Sequence, residues 1–254
     1  MQKPEILNST TVILNSFAKR PGQIAILIDP EKSKNPTHLK NLIEKAQFAK
    51  VDYFFVGGST VSREDFISVV SFLKQNSSIP VVIFPGASHQ ISKEADALLY
   101  LSLISGRNPD YLIGHHVQSA NEVYDMDIEV IPTAYILIDG GTKSSVAYVS
   151  QTTPIPNDKL SIITNTAKAG ILQGKKLLYL DAGSGALQSV LPETVKELTL
   201  LNSPIIIGGG IKTKKQITEL SNAGANVIVI GNKIEEDIDF LLDIHSYQKE
   251  SNRK

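Results

Sequence analysis

The chain contains no cysteine and no tryptophan. The first absence excludes a disulfide framework, a thiol nucleophile and a thiolate zinc site. It also fits a reducing compartment. No long hydrophobic run is present either: the longest mainly apolar stretches, such as residues 95–104, reach about half of the roughly 20 residues that a membrane span requires. Residues 1–15 lack a basic segment followed by an apolar core, so no secretory signal is expected there, and a cytoplasmic location is. Charge of one sign is also missing. Lys and Arg total 25 and Asp and Glu total 26, a net charge of −1 that does not point to nucleic acid as the main partner.

What remains is 254 residues, enough to bury a large core unaided. Eight short β-rich runs stand out, at 24–28, 53–56, 81–84, 97–101, 130–138, 176–180, 205–207 and 227–230. Several are apolar at successive positions, as strands covered on both faces should be. Helical patterns separate most of them. Residues 36–50 open on Pro36 and carry Leu39, Leu42, Ile43 and Ala46, and 62–74 open on an acidic first turn. Segments 191–201 and 213–223 behave alike, the second stopping before Gly224. Alternating strands and helices imply a parallel sheet, and eight strands imply a closed (β/α)₈ TIM barrel. A single domain over 1–254 is expected, with the barrel at about 20–248. One unit is abnormal. Only twelve residues lie between Phe84 and Ala97, and Pro85 and Gly86 open that stretch, so a loop or short turn should replace the third helix.

The strongest local signal is Tyr179-Leu180-Asp181-Ala182-Gly183-Ser184-Gly185-Ala186, at the end of the sixth strand. Glycines let the backbone approach an anion, Ser184 adds a hydroxyl, and Asp181 stands where barrel catalytic groups lie. An ordinary glycine turn with an acidic cap would read the same. Two further loops shift the balance. Gly208-Gly209-Gly210-Ile211 follows strand seven and Gly231-Asn232 follows strand eight, the positions where barrels frequently hold phosphate.

Asp29, in Ile28-Asp29-Pro30, ends strand one, and Gly57-Gly58-Ser59-Thr60 ends strand two. Each could be a plain turn. Together they offer a carboxylate and hydroxyls on adjacent strands, suited to a Mg²⁺ ion completed by waters and substrate phosphates. The segment 139–158 is rich in Gly, Pro, Ser and Thr, and reads as a substrate-covering loop or a linker. His115 and His116 read as surface or hydrogen-bonding residues, because adjacent helix positions point apart. His89 has no zinc spacing, and Asp237 reads as part of a solvated helix start.

Taken together, these motifs resemble the geranylgeranylglyceryl phosphate synthase family. The match runs from Ile28-Asp29-Pro30 through Val56-Gly57-Gly58-Ser59, the 114–120 segment G-H-H-V-Q-S-A, Ile131-Pro132-Thr133-Ala134-Tyr135, the 179–186 motif and 208–211 to Gly231-Asn232. The resemblance implies a modified barrel lacking its third helix. It implies a Mg²⁺-dependent prenyltransferase that joins the 3-hydroxyl of sn-glycerol 1-phosphate to an all-trans prenyl diphosphate, geranylgeranyl diphosphate being the expected donor. Asp29 and Ser59 fall on the family's Mg²⁺ positions. Tyr179, Leu180, Asp181, Ala182, Gly183, Ser184, Gly185, Gly209, Gly210, Gly231 and Asn232 fall on its glycerol 1-phosphate positions, with Asp181 as the catalytic group. A homo-oligomer is expected, with transient membrane-surface contact for product release. The chain departs from the family at Asp181, where glutamate is usual. It resembles the heptaprenylglyceryl phosphate synthase branch less, which carries Lys where this chain has Leu27. Another phosphate-binding barrel, an isomerase or lyase, or a non-catalytic phosphate binder, is the alternative.

Overall fold

The computed structural model describes residues 11–251. Eight parallel strands close in sequential order: β1 Gln23–Ile28, β2 Tyr53–Val56, β3 Val81–Ile83, β4 Ala97–Leu103, β5 Glu129–Leu137, β6 Leu177–Asp181, β7 Ile205–Gly208 and β8 Val227–Ile230. Closure comes from β8 pairing with β1, Gln23 opposite Val227. The helices are α1 Val12–Ala18, α2 Pro36–Ala49, α3 Arg63–Asn76, α4 His115–Tyr124, α5 Ser145–Val149, α6 Leu160–Leu172, α7 Pro192–Leu198, α8 Lys214–Ala223, α9 Asn232–Glu236 and α10 Phe240–Ser251. A π-helical turn, Asp110–Gly114, leads into α4. The expected barrel is borne out, and residues 84–96 between β3 and β4 hold no helix.

Local chemistry sets the helix limits. Pro36 sits in the first turn of α2 while the Asn35 side chain accepts from the N–H groups of Thr37 and His38. Thr213 and Gln216 form a capping box on α8, and Gly224 ends it in the left-handed region. Such a cap is worth about 1 kcal/mol.

The strand period of two divides the core into two layers. Ile24, Ile26, Phe54, Val56, Leu178, Leu180, Ile205 and Ile207 face outward, against the helices. Ala25, Tyr53, Phe55, Leu99, Tyr135, Leu177, Tyr179 and Ile206 fill the interior. Continuing the inward parity past the strand ends places Asp29, Gly57, Phe84, Asp181, Gly208 and Gly231 around the C-terminal mouth.

Two expectations change, and one helix is added. Strand three stops at Ile83, one residue early, because the Phe84 ring turns inward to stack on Tyr179 at 4.8 Å. β1 opens the barrel at Gln23. α1 precedes it and plugs the opposite, N-terminal mouth. Phe17 is fully buried against Tyr53 and Phe55, and the Glu129 carboxylate accepts from the Ile13 and Leu14 N–H groups at 2.7 and 2.9 Å. An acidic group at a helix N-terminus is favoured by the dipole and by the unpaired donors there. Finally, 139–158 is not a plain loop. It contains α5 and is tied to the barrel by an Ile138–Ile155 bridge.

Candidate active site

The C-terminal mouth opens into a cavity of about 400 Å³. Its wall changes character around the rim. On the β1–β2 side stand Asp29, Glu31, Lys32, Ser59 and Thr60, on the β6–β8 side the glycine loops, and on the β3–β5 side Phe84, Ile91, Leu98, Tyr100 and Tyr111.

Asp29 is half-buried. Burial raises its carboxyl above the usual range, and the Glu31 N–H (3.0 Å to Oδ1) and the Lys32 charge pull it back. The loop stays close to β2 because Gly58 has no side chain: a Cβ there would sit 2.8 Å from Asp29 Oδ1. Among the described residues no group of three or more His, Cys, Asp or Glu side chains could hold a metal. The donors at this wall, the Asp29 and Glu31 carboxylates and the Ser59 and Thr60 hydroxyls, are all oxygens and do not suit zinc. They suit a hard cation whose remaining positions are filled by water and phosphate oxygens.

Asp181 is 9% exposed at the opposite wall. The Tyr135 hydroxyl donates to its Oδ2 at 2.6 Å and the Gly183 N–H to its Oδ1 at 2.7 Å. Burial lifts its pKa and these two donors restrain the rise. Tyr179, buried beside it, is held by Phe84 and Tyr135. Gly183, Gly185, Gly209 and Gly210 all have positive φ, which lets the β6 and β7 loops approach one another. The Ser184 hydroxyl and the Gly185 N–H both donate to Asn232 Oδ1, at 3.1 and 3.2 Å, so the β6 and β8 loops meet at one point.

Of the residues singled out in the sequence, Asp29, Ser59, Tyr179, Asp181, Gly183, Ser184, Gly185, Gly209, Gly210, Gly231 and Asn232 line this one cavity. Leu180 and Ala182 do not. Leu180 points into the outer layer by strand parity, and Ala182 is buried, leaving only their backbones near the site. His115 and His116 are half-buried, and His116 takes the hydrogen-bonding role expected of it. Both line the apolar wall, where His116 Nε2 lies 2.6 Å from the Leu101 carbonyl and its ring stacks on Tyr100 at 3.9 Å. Burial lowers the His116 pKa. Asp237 ends α9, paired with Lys233 at 2.9 Å. Sequence reasoning missed Tyr135 as the partner of Asp181. The signal was its inward parity on β5, level with Tyr179.

The PcrB family model matches residues 19–247. The chain belongs to the PcrB family. It is similar to the geranylgeranylglyceryl phosphate synthase of Chitinophaga pinensis, 45% identical over 237 residues that cover 91% of this chain and 94% of the relative. It is also similar to the enzyme of that name from Zunongwangia profunda, 46% identical over 91% of this chain and 97% of the relative. Among solved structures, (S)-3-O-geranylgeranylglyceryl phosphate synthase from Thermoplasma acidophilum, in complex with its substrate sn-glycerol-1-phosphate, superposes with a TM-score of 0.86. It is 32% identical, over 94% of this chain and 96% of that one. The resemblance read from the motifs is thereby borne out, for a PcrB-family chain that carries Asp181 in its sixth-strand loop.

Proposed function

We propose that this chain transfers the prenyl group of an all-trans prenyl diphosphate, geranylgeranyl diphosphate in the first instance, to the 3-hydroxyl of sn-glycerol 1-phosphate, forming an ether and releasing diphosphate. The observation that carries the reading is one continuous cavity with three chemistries: an acidic rim at β1–β2, glycine loops at β6–β8 and an apolar wall at β3–β5. A polyol phosphate and a hydrocarbon chain each find a matching wall, and a diphosphate would meet the acidic rim through a bound cation.

In this reading the 183–185, 209–210 and 231–232 loops hold the phosphate of glycerol 1-phosphate by backbone N–H groups and the Ser184 hydroxyl. Fixing the acceptor there sets its 3-hydroxyl against the allylic carbon, a proximity effect. Asp181, kept in place by Tyr135 and Gly183, orients that hydroxyl and accepts its proton. A carboxylate whose pKa burial has raised is a stronger base than an exposed one. Asp29 and Ser59 would hold Mg²⁺, which supplies neutralisation of charge on the departing diphosphate. The prenyl chain lies along Phe84, Leu98, Tyr100 and Tyr111, toward the side that the absent third helix leaves open. Among the described residues no helix is long and apolar enough to cross a membrane. We infer that the enzyme works in the cytoplasm as a homo-oligomer, as the family resemblance implies.

A radiolabelled transfer assay tests the reading. Extractable product from labelled glycerol 1-phosphate but not glycerol 3-phosphate, abolished by chelator, is the expected result. Intact phosphate binding with no extractable product from either acceptor would overturn it.

A further inference from the structure

The acidic rim presents a problem to any diphosphate that enters it. Asp29, Glu31, Glu235 and Glu236 all line the cavity there, and like charges a few ångströms apart repel. Three lysines line the same cavity: Lys32, Lys212 and Lys233. Lys233 is engaged with Asp237 at 2.9 Å and lies over the Phe240 ring. Lys212 follows the β7 glycine loop, on the glycerol phosphate side. Lys32 is different. Its Nζ lies 2.8 Å from Glu235 Oε2, joining the β1 loop to α9, which follows the neighbouring strand β8, and its positive charge helps hold the Asp29 carboxyl down.

The pair is not a buried structural one. The side chains are 51% and 28% exposed, so the bond is cheap to exchange. A lysine ammonium carries three donors, and one is spent here. Glu31, its neighbour, is occupied separately by the Thr60 hydroxyl at 2.7 Å, so Glu235 is the carboxylate that holds Lys32 at rest.

Building on the prenyl-transfer reading, we propose that Lys32 is a diphosphate-binding residue and Glu235 its resting partner: the ammonium, held at the cavity rim, passes from Glu235 to the diphosphate of the incoming substrate. Lys32 supplies cationic charge at the rim where the carboxylates cluster. Glu235 keeps that charge in reach while the cavity is empty, and competes with the ligand for it.

Competition gives a test that a structural staple would fail. Binding of inorganic diphosphate with Mg²⁺, and of glycerol 1-phosphate as the control, is measured by calorimetry on the full chain and on Lys32→Met, Glu235→Gln and the double variant. Lys32→Met should weaken diphosphate about tenfold or more, the worth of a charge-assisted hydrogen bond, and leave glycerol 1-phosphate unchanged. Glu235→Gln should tighten diphosphate by about two- to fivefold, the worth of an exposed ion pair. That gain should vanish in the double variant. Unchanged diphosphate affinity in Lys32→Met overturns the proposal, as does weakened or unchanged affinity in Glu235→Gln. A gain that persists in the double variant also overturns it, since it would reflect simple repulsion by Glu235. If the unaltered chain binds no diphosphate, prenyl transfer and the proposal fall together. If it binds diphosphate and Lys32→Met binds it equally well, only the proposal falls.

Discussion

Two glycines in the same loop system separate what the phosphate loops need from what they merely tolerate. Gly185 has φ +75° and nothing within 4 Å of where a Cβ would stand. Gly209 has φ +80°, and a Cβ there would lie 2.6 Å from the Gly183 nitrogen and 2.8 Å from Asp181 Oδ1. Gly185→Ala therefore costs only the left-handed backbone term, about 1–2 kcal/mol. In a chain of this size that is a fall in Tm of roughly 2–8 °C. Gly209→Ala carries the same term and must also push the Gly183 backbone and the Asp181 carboxylate aside. A displacement near 1 Å at a reacting group costs about 10²-fold in rate. Steady-state kinetics with each substrate varied, beside thermal melts, would tell the two apart. Gly209→Ala should raise KM for glycerol 1-phosphate and lower kcat by about 10²-fold, with KM for the prenyl diphosphate little changed. Gly185→Ala should keep kcat within about tenfold, since its cost falls on stability and not on the carboxylate. Equal kinetic effects in the two variants would refute the placement of the β6–β7 contact at the acceptor site.

Asp29→Ala should abolish measurable turnover in the transfer assay while sparing calorimetric binding of glycerol 1-phosphate, because Asp29 stands at the end of β1 and outside the β6–β8 glycine loops. Asp181→Asn should lose activity yet melt higher than the unaltered chain at neutral pH. The sign follows from linkage: a carboxyl whose folded pKa is raised favours the fold when protonated and penalises it as pH rises through that pKa. The difference in Tm should therefore shrink as pH falls through the raised pKa and be gone below the ordinary carboxylate range. Glu129→Ala removes the acceptor for two α1 N–H groups and should cost about 1–3 kcal/mol in denaturant unfolding, with kcat unchanged, since the plug closes the mouth away from the chemistry.

Much of this architecture was legible before any coordinates. Doubly covered strands announce themselves as unbroken apolar runs, as Leu178 and Tyr179 show, and the short Phe84–Ala97 connection left no room for a helix. The candidate residues on β1, β2, β6, β7 and β8 could be placed because the end of a barrel strand always faces the same mouth. Side-chain direction was harder. Leu180 and Ala182 lie inside the recognised motif, but the parity that turns Asp181 inward turns Leu180 outward, and a motif read as a string hides that alternation. His116 makes the kind of hydrogen bond expected of it, but its place in the cavity wall was hidden for the opposite reason. It was read in the frame of its own helix, whereas its position comes from the Tyr100 ring and the Leu101 carbonyl of β4. α1 was invisible because one capping partner, Glu129, lies 116 residues from Ile13.

The departure at residue 181 can be understood from the same geometry. Where glutamate was expected, the shorter acid could have left its carboxylate withdrawn from the cavity and unsatisfied. Instead both oxygens are engaged, one by a β5 phenol and one by the amide of its own loop. The Tyr135 hydroxyl is thus fixed by β5, and the Gly183 amide by a positive-φ turn that only glycine adopts without strain. The Gly209 turn then passes so close to Oδ1 that no side chain fits between them. A carboxylate pinned from two directions and roofed by backbone has little freedom to swing. Its reach is set by the loops, and the acceptor must come to it. In the proposed reaction the glycine run on β7 therefore serves two ends: it would bring phosphate-binding backbone to the mouth, and it leaves the room that a short, immobile acid requires.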